Sequence, residues 1–297
     1  MPAIQHVEEQ RTNQADRITA RCTGPGLAAE IEGVDLSRPI TDDAFKKILD
    51  YFHEYQVVFF RRQHIDATTL VSFSARFGPL DVHHMTEHVI PDIPQVRILS
   101  NAKNGERAIG ITRGGMHWHS DLSYKPVPAL ATFLYGLECP PEGADTQFVS
   151  MYTALETLKP MQRALIEGKA GVHDRNFRYS ELYPNRPALT AEQVAHVPPV
   201  EHPLIRVHPA TRRKSLYLAK DVVSTIVGIE MRKGRELLDE LEKDATQADR
   251  IYSHKWQAGD VLVWDNRCTL HRATPYDNRY TRTLYRTQVR GEVPIAG

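Results

Sequence analysis

Apolar residues recur at helical spacing at Phe45, Ile48, Leu49 and Phe52, with Thr41 ahead of them as an N-cap, so the pattern predicts a helix over 42–55. The period then breaks, because Val57-Val58-Phe59-Phe60 is a continuous apolar run of strand length. A second helix is expected over about 67–76, capped by Asp66 and stopped by Gly78. From about residue 96 short apolar or alternating segments take over, broken by Pro, Gly and Asn: 96–100, 116–124, 129–137, 147–150, 204–207, 216–218, 261–264, 269–273 and 283–289. Strands of that length and number predict facing sheets in a sandwich or barrel. Helices interrupt them at 154–168 and 232–245, where Leu237, Leu238 and Leu241 form one stripe. Segments 103–115, rich in Gly, and 175–200, rich in Pro, are expected as loops over an active-site mouth, since connections that long are usually functional or mobile.

The chain of 297 residues shows no repeat, low-complexity tract or shift in composition, which predicts one catalytic domain over 1–297 with 1–16 as a flexible leader. Lys+Arg and Asp+Glu are equal at 37 each, so the overall field favours neither nucleic acid nor an anionic membrane as partner. There is no signal-peptide core and no apolar run long enough to span a bilayer. Cys22, Cys139 and Cys268 are odd in number and far apart, which fits neither a disulfide framework nor a CxxC metal site. A reducing, cytoplasmic setting is expected.

The chemistry concentrates in Trp118-His119-Ser120-Asp121 and in Trp264-Asp265-Asn266-Arg267-Cys268-Thr269-Leu270-His271, with Arg282 eleven residues further on. On a strand, residues i and i+2 share a face, so His119 and Asp121 can offer two adjacent ligands to one ion. His271 would complete a 2-His-1-carboxylate set, the donor pattern of non-haem Fe(II) oxygenases, with positions left open. Arg282 then offers a planar fork to a carboxylate-bearing cosubstrate. His117 leaves an alternative, because His117 and His119 form an HxH pair of the kind found in cupin metal sites; that reading gives Asp121 and Arg282 no task.

On these motifs, together with Ala29-Glu30-Ile31-Glu32-Gly33-Val34-Asp35-Leu36 and Phe73-Ser74-Ala75-Arg76-Phe77-Gly78-Pro79-Leu80, the chain resembles the taurine / 2,4-dichlorophenoxyacetate dioxygenase family over roughly residues 17 to 292. The resemblance implies a mainly β fold with flanking helices, a double-stranded β-helix or jelly roll. It implies Fe(II) on His119, Asp121 and His271, with 2-oxoglutarate as cosubstrate held by Arg282 and Thr146, and O2 as oxidant. The activity implied is hydroxylation of a C–H bond coupled to release of succinate and CO2. The family's habit of forming dimers or tetramers leaves a homo-oligomer as an expectation that no residue decides.

Arg286 follows Arg282 at even spacing and is expected on the same strand face. The resemblance places Arg286 and His83 at positions that meet the substrate's anionic group, so the expected partner is a small organic anion, an aryloxyalkanoate-like carboxylate or an alkanesulfonate. Gly115 and Thr86 replace the Asn and Tyr that the taurine-oxidising enzyme would present, which argues against taurine itself. Two other classes use the same barrel: a metal-dependent hydrolase with a metal-bound water as nucleophile, and a non-catalytic cupin-like binding protein. The first leaves Arg282 idle, and the second has no need for the open metal positions that an intact triad provides.

Overall fold

Thr41 accepts the Ala44 amide through its side chain and starts α1 (Asp42–Tyr55), which ends where Gln56 enters the left-handed region and donates its amide to the Phe52 carbonyl. The computed structural model describes residues 14–82, 88–105, 107–112, 114–184 and 187–297. Asp66 caps α2 (Ala67–Ala75) by accepting from the Thr69 amide. Both helices lie on one sheet because their apolar faces have no other cover: Ile48, Phe52, Leu70 and Phe73 pack against Val58, Phe60, Phe133, Val261, Val263 and Val289. Burying one such side chain contributes roughly 1.5–3 kcal/mol.

Eleven strands frame the site. In chain order they are β1 (Thr19–Cys22), β2 (Ala29–Glu32), β3 (Val57–Phe60), β4 (Val89–Ile90), β5 (Ile93–Ser100) and β6 (Ala129–Glu138), followed by β7 (Thr146–Ser150), β8 (Tyr252–His254), β9 (Val261–Asp265), β10 (Thr269–Ala273) and β11 (Thr283–Arg290). The large sheet has the order β1-β2-β3-β9-β6-β11-β5-β4, and the small facing sheet the order β8-β7-β10. Pairing in these two sheets is antiparallel except between β2 and β3. Alternation along the large sheet sends Val57, Phe59, Leu134, Leu262, Trp264 and Leu284 to the inner face, where they meet Phe148 of the small sheet. The result is a mainly β fold with flanking helices, the double-stranded β-helix. A third core gathers Leu237, Leu238 and Leu241 of a late helix (Met231–Ala245) with Val149, Leu270 and Trp118. Among the described residues, no helix is long and apolar enough to cross a membrane.

Several sequence expectations need correction. Residues 116–124 do not form a strand; the chain makes one bridge, His119 to His271, and turns from Asp121 onward, with Leu122 at φ 55°. The helix expected over 154–168 is two, α3 (Met151–Glu156) and α4 (Pro160–Ile166), because Pro160 has no amide to continue the first and is suited to begin the second. Segment 175–200 carries α5 (Tyr179–Leu182) and α6 (Ala191–His196), and 103–115 carries a small hairpin, Lys103–Asn104 with Arg107–Ala108. Of the expected leader, residues 1–13 lie outside the described residues. Residues 14–17 are helical, and Gln14 accepts the Thr41 amide at 3.0 Å.

Candidate active site

His119 and His271 are brought together by a reciprocal backbone pair, His119 N to His271 O at 3.0 Å and His271 N to His119 O at 2.9 Å. Their ring centroids are 4.1 Å apart. Asp121 reaches them by the turn that replaces the expected strand: its amide donates to Asn266 Oδ1 at 3.1 Å, and Ser120 Oγ donates to the Asn266 carbonyl at 2.7 Å. The Asp121 carboxylate then lies 3.8 Å from His119 Nε2 and 3.7 Å from His271 Nε2. Ligand atoms of all three residues fall within 4.8 Å of one another, a donor set able to hold one ion. His117 is not in this group. Its carbonyl lies 2.8 Å from His119 Nδ1, which must therefore carry the proton and leaves the Nε2 lone pair for a metal.

Burial works against a charge on Asp121, yet the nearby His271, Arg286 and His119 and the Thr132 hydroxyl together hold its carboxyl below the usual range. Burial, reinforced by His119, holds His271 neutral, the form that ligates. Thr132 on β6 donates to Asp121 Oδ2 at 2.7 Å and accepts from Asn266 Nδ2 at 3.0 Å, while Trp264 Nε1 donates to Asn266 Oδ1 at 3.0 Å. The carboxylate is thus oriented by residues of β6, of β9 and of the turn that follows it, a register-dependent network that the sequence does not reveal.

That turn is itself locked. Asp265 accepts Arg267 Nε on Oδ1 at 2.8 Å and Nη2 on Oδ2 at 2.7 Å, and His208 Nε2 lies 2.9 Å from the same Oδ2. His208, Asp265 and Cys268 also fall within metal-ligand distance of one another. They are not a second metal centre, because His208 Nδ1 accepts the Ala210 and Thr211 amides and its Nε2 proton is given to Asp265. The group fixes the start of β10, and so His271.

A cavity of about 1080 Å3 opens onto the three ligands and is lined by Thr146, Arg282 and Arg286 as well as by Arg97, Tyr124 and Arg175. Thr146 accepts from Trp256 Nε1 at 3.0 Å, so its own hydroxyl proton is available to a ligand. Arg282 binds Asn101 Oδ1 through its backbone amide at 2.8 Å, and among the described residues its guanidinium makes no salt bridge. Burial depresses its pKa, with Tyr276 and Cys139 opposing, which marks a desolvated cation facing the cavity. Arg286 shares the cavity with Arg282, as their spacing predicts, and its buried Nε has no hydrogen-bond partner among the described residues. His83 and Thr86 lie outside the described residues. Lining also comes from Gly110, Ile111 and Gly115 of the first long segment and from Tyr179, Tyr183 and Leu189 of the second, where loops over the mouth were expected. Arg97, Tyr124 and Arg175 were not foreseen, although Arg97 lies within the strand expected at 96–100.

Residues 19–288 match the family described as Taurine catabolism dioxygenase TauD, TfdA family. The chain belongs to this family. It is 32% identical over 271 residues to an (S)-phenoxypropionate/alpha-ketoglutarate-dioxygenase of Sphingobium herbicidovorans, covering 90% of this chain and 92% of that protein. It is 31% identical to the alpha-ketoglutarate-dependent 2,4-dichlorophenoxyacetate dioxygenase of Cupriavidus pinatubonensis, covering 91% and 96%. The structure of a taurine dioxygenase from Burkholderia xenovorans superposes with a TM-score of 0.80 at 32% identity, covering 94% of this chain and 91% of that one. The family relationship and the His119, Asp121 and His271 cluster agree on the oxygenase class.

Proposed function

We propose that this protein is an Fe(II)- and 2-oxoglutarate-dependent dioxygenase that hydroxylates a C–H bond of a small organic anion, an aryloxyalkanoate-like carboxylate or an alkanesulfonate. The observation that carries this reading is the buried Arg282 guanidinium, which lines the same cavity as the three ligands and makes no salt bridge among the described residues. A hydrolase or a binding module on this barrel has no use for it. In this reading His119, Asp121 and His271 hold the iron, Arg282 takes the distal carboxylate of 2-oxoglutarate through a two-pronged hydrogen bond, and Thr146 donates to the same cosubstrate. Iron and 2-oxoglutarate, when bound, supply oxidative decarboxylation to succinate and CO2 coupled to C–H oxidation by O2. Arg286 and His83 orient the substrate anion. Segments 103–115 and 175–200 shield the reaction from water as active-site loops of a single catalytic domain.

Support for the substrate class comes from relatives that are phenoxypropionate and 2,4-dichlorophenoxyacetate dioxygenases, and from the cationic lining beside the ligands. An anaerobic titration tests the reading. Fe(II) followed by 2-oxoglutarate is expected to give a weak visible charge-transfer band, which zinc does not produce, and phenoxyacetate, 2-phenoxypropionate or an alkanesulfonate is expected to stimulate succinate release in air. Folded protein that gives no band overturns the oxygenase reading. A band without stimulation by any of these anions overturns the substrate class alone.

A further inference from the structure

Gln288 stands on β11 two residues beyond Arg286, so the two side chains share a face, and both line the cavity. Directly opposite it on β6 is Thr132. A threonine hydroxyl has one proton to give and two lone pairs. The proton of Thr132 goes to Asp121 Oδ2 at 2.7 Å, because a carboxylate ligand only accepts, and one lone pair takes Asn266 Nδ2 at 3.0 Å. Asn266 is itself fixed in that orientation, since two donors, Trp264 Nε1 and the Asp121 amide, meet its Oδ1. Thr132 is left able only to accept once more, and the Gln288 Nε2 lies 3.4 Å away. The network therefore decides which end of the Gln288 amide faces Thr132. The nitrogen does, and the carbonyl oxygen Oε1 is turned away from it.

That oxygen makes no hydrogen bond among the described residues, and it belongs to a side chain 6% exposed whose open side is the cavity. Only Thr132 separates Gln288 from the carboxylate ligand, which puts Oε1 at the iron end of the cavity. Sealed against carbon or an ether oxygen, such an acceptor loses its water and gains nothing, a cost that a donor avoids. We infer that Gln288 is a specificity-determining residue: its Oε1 accepts a hydrogen bond from an N–H or O–H of the substrate, so the site takes a small organic anion with a donor close to the carbon being oxidised, in preference to one with an ether or a bare alkyl chain there. Discrimination of this kind comes from the buried partner that the wrong ligand leaves unpaired. The preference deepens the proposed oxygenase function and rests on it for the place of the substrate, whereas the orientation of the amide rests on the Thr132 network alone.

Phenoxyacetate and N-phenylglycinate differ in one group, an ether oxygen against an N–H, beside the same methylene and carboxylate. Titrated by calorimetry into protein loaded anaerobically with Fe(II) and 2-oxoglutarate, wild type is expected to bind N-phenylglycinate about tenfold more tightly, the scale of one hydrogen bond gained where the ether sets two acceptors face to face. Gln288→Met, of similar length and without the amide, is expected to bring the two affinities within about twofold of each other, with the charge-transfer band retained. Equal affinities in wild type, or a preference that survives in Gln288→Met, overturn the assignment. A glutamine that only braced Thr132, and through it Asp121, would give the second of these results, since Gln288→Met would then weaken Fe(II) and both anions alike. If Gln288→Met does not fold, Gln288→Asn, which keeps the amide and withdraws it by one carbon, decides on the same ratio. Binding of neither anion with the band present overturns the substrate class and this preference together. An absent band in folded protein counts against the oxygenase function, while the ratio of the two affinities still judges Gln288.

Discussion

Gly115 decides how closely the chain can pass His119. It has φ +70°, and a Cβ placed there would lie 2.9 Å from His119 Cε1. A left-handed conformation costs a non-glycine residue about 1–2 kcal/mol before any clash. Gly115→Ala is therefore expected to tilt the imidazole and weaken Fe(II) binding by roughly tenfold, the effect of about 1.4 kcal/mol, while the metal-free melting temperature falls only modestly. An unchanged iron affinity by competition with a chromophoric chelator would show that the ring can yield. Arg282 belongs to the other half of the site. Arg282→Ala is expected to leave iron bound and weaken 2-oxoglutarate by about 1.5–3 kcal/mol, the scale of a hydrogen bond to a charged group, whereas His119→Ala abolishes iron binding. Parallel loss of iron in both variants would contradict this division of labour.

At the scale of elements, what could be read from the sequence was whatever local periodicity dictates. The helix Asp42–Tyr55, its Thr41 cap and the strand Val57–Phe60 are encoded in contiguous residues and are found where expected. Segment 116–124 misleads because its alternation resembles a strand, while the backbone partners that decide its path, His271 and Asn266, lie about 150 residues away. The metal triad survives that error since it depends on residue types brought together, not on the strand that was supposed to bring them. Gln288 and Thr132 were illegible for the same reason, as their roles appear only with the register of β11 on β6 and of β6 on β9. The second long segment is fastened by Arg178, which pairs with both Glu181 and Asp221. Asp221→Asn should release that strap. The expected result is a several-fold higher KM for the organic substrate with the KM for 2-oxoglutarate unchanged, and faster proteolysis within 175–200. Equal change in both KM values would mean that Asp221 acts on the whole cavity and not on the strap.

Across the whole molecule, the balanced charge of 37 against 37 hides an uneven set of buried titrating groups. Burial lowers the pKa of His53, His117, His173, His202 and His254, five histidines outside the ligand set. Each resists protonation when folded and regains its ordinary value near 6.5 when unfolded, so its contribution to stability is present above pH 6.5 and is lost as pH falls through its lowered folded value. Glu242 has the opposite sign: burial pushes it up to about 7, so the stability it contributes is present below 4.5 and is lost as pH rises through 7. Below pH 6.5 the unfolded chain therefore takes up protons on these histidines that the folded chain resists, while the folded chain retains one on Glu242 that the unfolded chain has released. The histidines outnumber Glu242, so the net effect of acidification is a loss of stability, about 1.4 kcal/mol per pH unit for each net proton taken up on unfolding. His173 offers the cleanest check, because both its ring nitrogens lack hydrogen-bond partners among the described residues and its ring stacks on Tyr217 at 5.1 Å. His173→Phe keeps a ring there and removes the titration, so the acid limb measured by urea unfolding of the metal-free protein is expected to become shallower by about 1.4 kcal/mol per pH unit, the effect of one proton. An acid limb as steep as that of wild type would place the titrating groups elsewhere in the fold.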